Sequence, residues 1–241
     1  MIANAASSGI THIRYDGICP PGIVAAFSLR SFGEGRSDES KAAQIERVAS
    51  EIGQAGCPIA TAQQVHGAKV EVVSEAGEYA QADGLVTDRA NLLLSVVVAD
   101  CLPVYFWSLD GHCIGLIHAG WRGSAAGIAM TAIRVTREAF GVEAKELYAL
   151  LGPCICQDCY EVGPEVAHAF TTAELRPGRS DRYHLDLRAA NRRQLIQAGV
   201  PGESIISDDL CSRCRPDLLY SYRATGQDTG RMVAMIGLIG L

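Results

Sequence analysis

The chain has 241 residues, of which 48% are hydrophobic and 20% charged, and its formal net charge is −6. This composition is typical of a globular protein with a sizeable core, and the lack of a long basic run argues against nucleic acid or an anionic membrane as partner. No apolar run is long enough to span a bilayer and the first residues, MIANAASSGI, do not resemble a secretory signal, so we expect a cytoplasmic protein.

The apolar pattern predicts strands interspersed with helices, which we interpret as one mixed α/β domain over residues 1–241 with a loosely ordered segment over 1–20. The predicted strands span residues 23–27, 59–65, 69–73, 85–87, 92–99, 104–107, 113–117, 147–151, 205–207, 218–222 and 232–239. The predicted helices span residues 42–52, 124–140, 162–173 and 187–198.

Three residues with metal-binding side chains are placed at the ends of predicted strands, namely His66, Cys101 and His118. Zinc prefers nitrogen and sulfur ligands, and a catalytic zinc site keeps three protein ligands and one open position. The three residues are therefore candidate metal ligands, although their long spacing also allows three unrelated core residues. Asp100, next to Cys101, and Gln64, close to His66, are candidates to orient the imidazoles.

Cysteine nucleophile chemistry is an alternative for the same residues. Cys101 and His118 would form a thiolate–imidazolium pair, with Asp100 orienting the histidine. The protein would then be a metal-free hydrolase or amidase acting on a small or cell-wall-derived metabolite. This alternative leaves His66 without a role, and a structural or partner-binding protein would leave all three residues without one.

Candidate anion-binding groups lie in two turns. Arg122 and Gly123 precede the helix predicted over 124–140, where free amides, the helix dipole and a guanidinium suit phosphate. Arg30 lies in a Ser/Gly-containing turn after the first strand, where it is either solvated or binds an anion. Asp83, in the turn Gln81–Gly84, is most simply a turn residue.

Nine cysteines are a high and odd number for a protein without a recognisable secretory signal. Five of them lie in two groups, Cys154-x-Cys156-x2-Cys159 and Cys211-x2-Cys214. Two C-x2-C pairs indicate a structural zinc site, but the separation between these pairs is much longer than in a compact zinc ribbon. A four-cysteine site therefore stays an alternative at this point.

Several motifs occur in the order found in one known family. They are QQVHGAKV, QADGLVTD, VADCLPV, IHAGWRGSAAGI, LGPCI…CYEVG, HLDLRAAN and SYRATGQDTGR. By these motifs the chain resembles the YfiH/laccase-domain family, first called multicopper polyphenol oxidoreductases and now associated with purine nucleoside phosphorylase activity. The resemblance implies an α/β sandwich of mixed sheets covered by helices, similar to a bacterial toxin deamidase.

The resemblance also implies roles for the candidate residues. It makes His66, Cys101 and His118 zinc ligands of an enzyme that phosphorolyses adenosine, inosine, guanosine or methylthioadenosine and also deaminates adenosine. Purine nucleoside and phosphate would be the partners. For binding them we consider Arg30, Gln64, Asp83, Arg122 and Gly123, and for proton transfer to the departing base we consider Asp83 or Asp100.

The older family name is difficult to reconcile with the histidine content. Coupled mononuclear and trinuclear copper centres are histidine-rich, whereas the chain has six histidines in total. A single copper ion in place of zinc, with phenol oxidation as its consequence, stays an alternative because copper outcompetes zinc at such ligands.

Overall fold

The computed structural model describes residues 11–15, 17–33 and 39–240. Its strands are His12–Arg14 (β1), Ile23–Ser28 (β2), Ile59–Gln63 (β3), Val70–Val72 (β4), Gly77–Ala80 (β5), Gly84–Thr87 (β6), Leu92–Val98 (β7), Leu102–Ser108 (β8), Ile114–Ala119 (β9), Leu147–Leu151 (β10), Glu161–Val162 (β11), Leu175–Pro177 (β12), Tyr183–Leu185 (β13), Ile205–Ser207 (β14) and Met232–Leu238 (β15). Its α-helices are Arg30–Gly33 (α1), Lys41–Glu51 (α2), Trp121–Ala125 (α3), Ile128–Phe140 (α4), Pro164–Ala167 (α5), Leu187–Gln197 (α6) and Tyr222–Thr225 (α7).

Two mixed six-stranded sheets form the centre of the molecule. The first has the order β1-β2-β15-β7-β3-β5 and the second the order β14-β10-β8-β9-β6-β4. Parallel pairs occur in both sheets, between β3 and each of β5 and β7, between β4 and β6, and between β10 and β14. Strand β7 belongs to the first sheet and β8 to the second, so the short connection between them crosses from one sheet to the other.

The apolar side chains divide into layers because alternate residues of a strand point to opposite faces. Leu94 of β7 lies with Leu116 of β9 in the core between the two sheets. Leu93, on the other face of β7, packs in a separate cluster with Val48 of α2. On the outer face of the second sheet, the core includes residues of both α4 and α6. The fold is thus a helix–sheet–sheet–helix sandwich, as expected for a mixed α/β domain.

The helix predicted over residues 124–140 is two helices in the structure. Gly127 adopts φ +80, a left-handed conformation that separates α3 from α4. The first helix begins at Trp121, and Gly123 therefore lies inside it rather than before its first turn. The prediction of Gly123 as the residue preceding the helix is wrong, because the HAGWRG turn enters the helix three residues earlier than the apolar spacing indicated.

Two other predicted elements are also wrong. Residues 162–173 contain the end of β11, the one-turn helix α5 and the turns that follow it, because Val162 pairs with Tyr183 and Pro164 begins the helix. Residues 218–222 form no strand in the structure and lead into α7. The small sheet β11-β13-β12 was not predicted, since strands of two or three residues are too short to show a period.

The predicted loosely ordered segment over 1–20 falls partly on residues 1–10 and 16, which lie outside the described residues. Within this segment, His12–Arg14 pairs with β2 as an edge strand of the first sheet. Among the residues that the structure describes, no helix is both long enough and apolar enough to cross a membrane.

Candidate active site

One buried carboxylate organises two of the three predicted metal ligands. Asp83 is fully buried and accepts hydrogen bonds from the amides of Val65 (3.1 Å), His66 (2.9 Å) and Gly67 (2.7 Å). Its Oδ1 also lies 2.8 Å from Nδ1 of His118. Asp83 therefore fixes the loop that presents His66 and the ring orientation of His118, with Nε2 of His118 left for another partner.

Strand pairing brings Cys101 and His118 together. Cys101 occupies the connection that enters β8, and Pro103 of β8 lies opposite His118 of β9. His66 reaches the same place from the loop after β3 of the other sheet, and its ring meets that of His118 edge-on with 4.8 Å between centroids. The ligand atoms of His66, Cys101 and His118 all lie within 4.8 Å of one another. The structure thus assembles the three residues that the sequence placed at strand ends.

The three candidate ligands also influence one another's charge. Burial opposes ionisation of the Cys101 thiol, but the adjacent His118 and His66 outweigh it and lower the pKa of Cys101 to about 6. Burial alone would lower the pKa of His118, yet the Cys101 sulfur and the Asp83 carboxylate raise it to about 9. Without a cation, both shifts favour a thiolate at Cys101 beside an imidazolium at His118.

Gly120 leaves space for the ligands. A Cβ at this position would lie 3.0 Å from Sγ of Cys101 and 3.2 Å from Cδ2 of His66. Any side chain would have to displace atoms of two ligand residues. The absence of a side chain at Gly120 thus leaves the three candidate ligands in place, and the sequence alone did not indicate this role for Gly120.

The structure gives Asp100 and Gln64 supporting contacts. Asp100, in the left-handed region at φ 82, accepts hydrogen bonds from the Ser212 hydroxyl and from the amide of Arg223. The side-chain amide of Gln64 forms two hydrogen bonds with the backbone of Val97, which continues the β3–β7 pairing past the end of β3. Both residues thus brace the loops that carry the candidate ligands.

The two candidate anion-binding arginines have different surroundings. Arg30 donates to the carbonyl of Pro216 and lies over the Tyr220 ring. Arg122 is exposed in the first turn of α3, shortly after Gly120, with its guanidinium 4.3 Å from the Trp121 ring centroid. Gly123 lies close to the loop that carries His66: a Cβ at Gly123 would lie 2.6 Å from the carbonyl oxygen of Gly67.

Tyr160 and Arg223 adjoin the site and were not identified from the sequence. Burial and then the nearby Cys101 and Asp100 raise the pKa of Tyr160. Arg223 places its guanidinium 5.0 Å from the Tyr160 ring centroid and donates to the carbonyl of Glu161. Both residues lie in motifs of the family resemblance, CYEVG and SYRATG. The sequence does not predict that Tyr160 and Arg223 lie close together, because they are far apart in the chain.

Comparison with known proteins agrees with this architecture. Residues 22–239 match the family model described as multi-copper polyphenol oxidoreductase laccase. "Purine nucleoside phosphorylase YlmD" of Geobacillus stearothermophilus is 39% identical over 73% of this chain and 70% of its own length. "Adenosine deaminase RL5" of an unknown prokaryotic organism is 38% identical over 62% of this chain and 59% of its own length.

Solved structures show the same fold. The crystal structure of YlmD from Geobacillus stearothermophilus has a TM-score of 0.84 at 29% identity and covers 91% of this chain and 93% of that one. The crystal structure of the hypothetical protein YfiH from Bacillus licheniformis has a TM-score of 0.82 at 28% identity, covering 90% of this chain and 92% of that one.

Proposed function

The chain belongs to the multi-copper polyphenol oxidoreductase laccase family, whose curated relatives are enzymes, and we propose that it is a zinc-dependent purine nucleoside phosphorylase with adenosine deaminase side activity. The observation that carries the proposal is the His66–Cys101–His118 cluster supported by Asp83. The relatives' names support purine nucleosides as substrates. The predicted cytoplasmic location stays a prediction.

The donor set fits zinc. Two imidazoles and one thiolate are ligands that zinc prefers, and three protein ligands leave a fourth position for catalysis. The hydrogen bond from Nδ1 of His118 to Asp83 is the carboxylate–histidine arrangement that fixes the tautomer of a zinc-ligating histidine. When bound, zinc supplies a Lewis acid that stabilises negative charge developing on the substrate. Copper accepts the same ligands, so metal analysis of the purified protein is part of the test.

We propose that Arg122 binds phosphate. In phosphorolysis a phosphate oxygen bonds to the anomeric carbon of ribose while the bond from that carbon to the purine nitrogen breaks, and the base leaves with the electron pair and takes up a proton. Arg122 lies two residues after Gly120, which contacts the ligands, and its guanidinium is exposed. Arg30 stays a second candidate for phosphate, although its contacts with Pro216 and Tyr220 hold its side chain.

For the remaining candidates we propose positioning rather than chemical roles. The amide donors that Asp83 faces, together with His118, occupy both of its oxygens. The oxygens of Asp100 are occupied by Ser212 and Arg223, and the amide of Gln64 by Val97. A carboxylate whose oxygens already accept hydrogen bonds is poorly placed to donate a proton to a departing base.

The experiment is chromatography of adenosine incubated with the zinc-loaded protein, with and without phosphate. Adenine and ribose 1-phosphate that form only with phosphate would support the phosphorylase. Inosine in both samples would support deamination, the reaction named for the 38% identical relative. If adenosine stays unchanged in both samples, and inosine, guanosine and methylthioadenosine stay unchanged in the same assay, the proposal is refuted.

One observation favours a second candidate, the metal-free cysteine hydrolase. The thiolate of Cys101 beside a protonated His118 is the pair that such an enzyme uses. The two candidates differ in metal content, because the hydrolase needs no metal and gives His66 no role. Loss of adenosine conversion after complete removal of metal, restored by zinc, would favour the phosphorylase. No adenosine conversion by the zinc-loaded protein, with amide hydrolysis by the metal-free protein, would favour the hydrolase.

A further inference from the structure

A second cluster of metal-binding side chains lies outside the candidate active site. Cys156 precedes a short 3-10 helix whose last residue is Cys159, and Cys211 precedes a turn that includes Cys214. The four sulfurs all lie within 4.8 Å of one another. Sγ of Cys214 is 4.0 Å from Sγ of Cys156 and 3.4 Å from Sγ of Cys159. Two C-x2-C pairs that are far apart in the chain are therefore adjacent in the fold.

These separations match one ion rather than a cluster. Zinc–sulfur bonds of about 2.3 Å in a tetrahedron place the sulfurs about 3.8 Å apart, which lies within the observed range. An iron–sulfur cluster has to admit several irons and inorganic sulfides between the cysteines, and these sulfurs are too close together for that. All four cysteines are free thiols, so no disulfide accounts for their proximity.

The backbone around the cluster stabilises a thiolate at Cys211. Sγ of Cys211 accepts hydrogen bonds from the amides of Cys156 (3.3 Å) and Cys214 (3.4 Å). The two segments are joined by a β-bridge between Cys154 and Cys211 and by the hydrogen bond from the Ser212 amide to the Cys154 carbonyl. Amide donors aimed at a sulfur favour its charged form, which is the form that binds a metal.

We propose that Cys156, Cys159, Cys211 and Cys214 form a structural zinc site. Four protein ligands leave no open position, which distinguishes a structural site from a catalytic one. The assignment does not depend on the proposed function, because none of the four cysteines is a ligand of the His66–Cys101–His118 cluster. Cys154, the fifth cysteine of these two segments, is buried in the core and stays outside the site.

The site lies where two segments next to the active site meet. Ser212, between Cys211 and Cys214, donates its hydroxyl hydrogen to Asp100, which precedes Cys101. Tyr160, directly after Cys159, lies under the guanidinium of Arg223. A zinc ion held by both pairs would tie these segments together and keep the loops around Cys101 in register.

The test separates the two metal sites by substitution and by spectroscopy. We expect about two zinc ions per chain in the wild type, and about one in a Cys156→Ser/Cys214→Ser variant and in a His66→Ala/His118→Ala variant. Cys57→Ser, which changes a cysteine outside both clusters, is the matched control and should retain both ions. Because loss of a structural site can itself prevent folding, the decisive measurement uses the histidine variant.

In the histidine variant, X-ray absorption at the zinc edge should show four sulfur neighbours at about 2.3 Å. A mixed nitrogen and sulfur shell, or no zinc at all in this variant, would overturn the assignment. Iron in place of zinc, or a loss of two mass units from a disulfide among the four cysteines, would overturn it as well.

Discussion

Replacing Asp83 by asparagine should lower both the stability of the protein and its affinity for zinc. Asparagine has the same shape as aspartate, but one of its two hydrogen-bonding groups donates instead of accepting. The carboxylate faces four donors, namely three backbone amides and Nδ1 of His118. An asparagine side chain at this position would present one oxygen and one NH2 group. Either orientation of the amide sets the NH2 group against two donors, since each carboxylate oxygen accepts two of the four hydrogen bonds.

The expected loss of stability follows from the number of hydrogen bonds that Asp83→Asn removes. A hydrogen bond to a charged group contributes about 1.5–3 kcal/mol, and an unpaired buried donor has a further cost. With two bonds lost and two weakened in a fully buried position, we expect unfolding of the metal-free protein to require about 3–5 kcal/mol less. Loss of the carboxylate partner of His118 should also reduce zinc affinity about 10–100-fold.

The assay is urea unfolding of the metal-free proteins, followed by zinc titration against a competing chelator. Asp88→Asn is the matched control, because Asp88 lies shortly after Asp83 but is exposed at the end of β6. It should change stability by less than about 0.5 kcal/mol. If Asp83→Asn were as stable as this control and bound zinc as tightly as the wild type, the structural role assigned to Asp83 would be refuted.

Three further predictions concern residues around the ligands. After a chelator has removed bound metal, alkylation of Cys101 should increase as the pH rises through about 6. Cys113, whose pKa burial raises to about 11, should stay unreactive at neutral pH. Equal labelling of the two cysteines, measured by mass spectrometry, would contradict this. Gly120→Ala should weaken zinc binding in the chelator competition with little loss of stability, and unchanged affinity would show that the ligands have room for a Cβ. Arg122→Ala should raise the KM for phosphate about tenfold or more at unchanged zinc content. Arg134→Ala, on the exposed side of α4, is the control and should leave the KM for phosphate unchanged. Equal KM values for the two variants would show that Arg122 does not bind phosphate.

The candidate ligand set could be proposed from the sequence because strand ends are recognisable. The apolar run 92–99 ends at Asp100 and Cys101, and the run 113–117 ends at His118, so the local pattern located both chemical groups. His66 likewise follows the strand predicted over 59–65, and the family resemblance then implied that all three residues bind one metal. The convergence of the three side chains depends on strand β8 pairing with β9 and on the packing of the two sheets, and no single stretch of sequence specifies that packing.

The role of Asp83 could not be predicted for the same reason. Its turn between Gln81 and Gly84 has the local chemistry of an ordinary Asx-containing turn. Its contacts with the backbone amides of residues 65–67 and with His118 exist only after three segments have packed together. Long-range hydrogen bonds have no sequence period, so a buried organising carboxylate looks like a turn residue until the fold is known.

The four-cysteine site shows the opposite situation. The C-x2-C pairs were visible in the sequence, but their wide separation argued against a shared ion. The bridge between Cys154 and Cys211 removes this objection, because it places the two segments side by side whatever the length of chain between them. The number of residues between the two pairs predicts a shared ion only in compact zinc ribbons. The spacing within each pair is set by a local turn, so it indicates a metal-binding pair in any fold.

Both ligand loops contain a non-glycine residue in the left-handed region, His66 at φ 61 and Asp100 at φ 82. Such a conformation costs about 1–3 kcal/mol and persists only where surrounding contacts compensate for it. For His66 the compensation comes from Asp83, and for Asp100 it comes from Ser212 and the amide of Arg223. The candidate metal ligands are thus presented by strained loops that groups outside the ligand set hold in place. Ser212 lies between Cys211 and Cys214 of the four-cysteine site and donates to Asp100. Loosening of that site should therefore also disturb the position of Cys101.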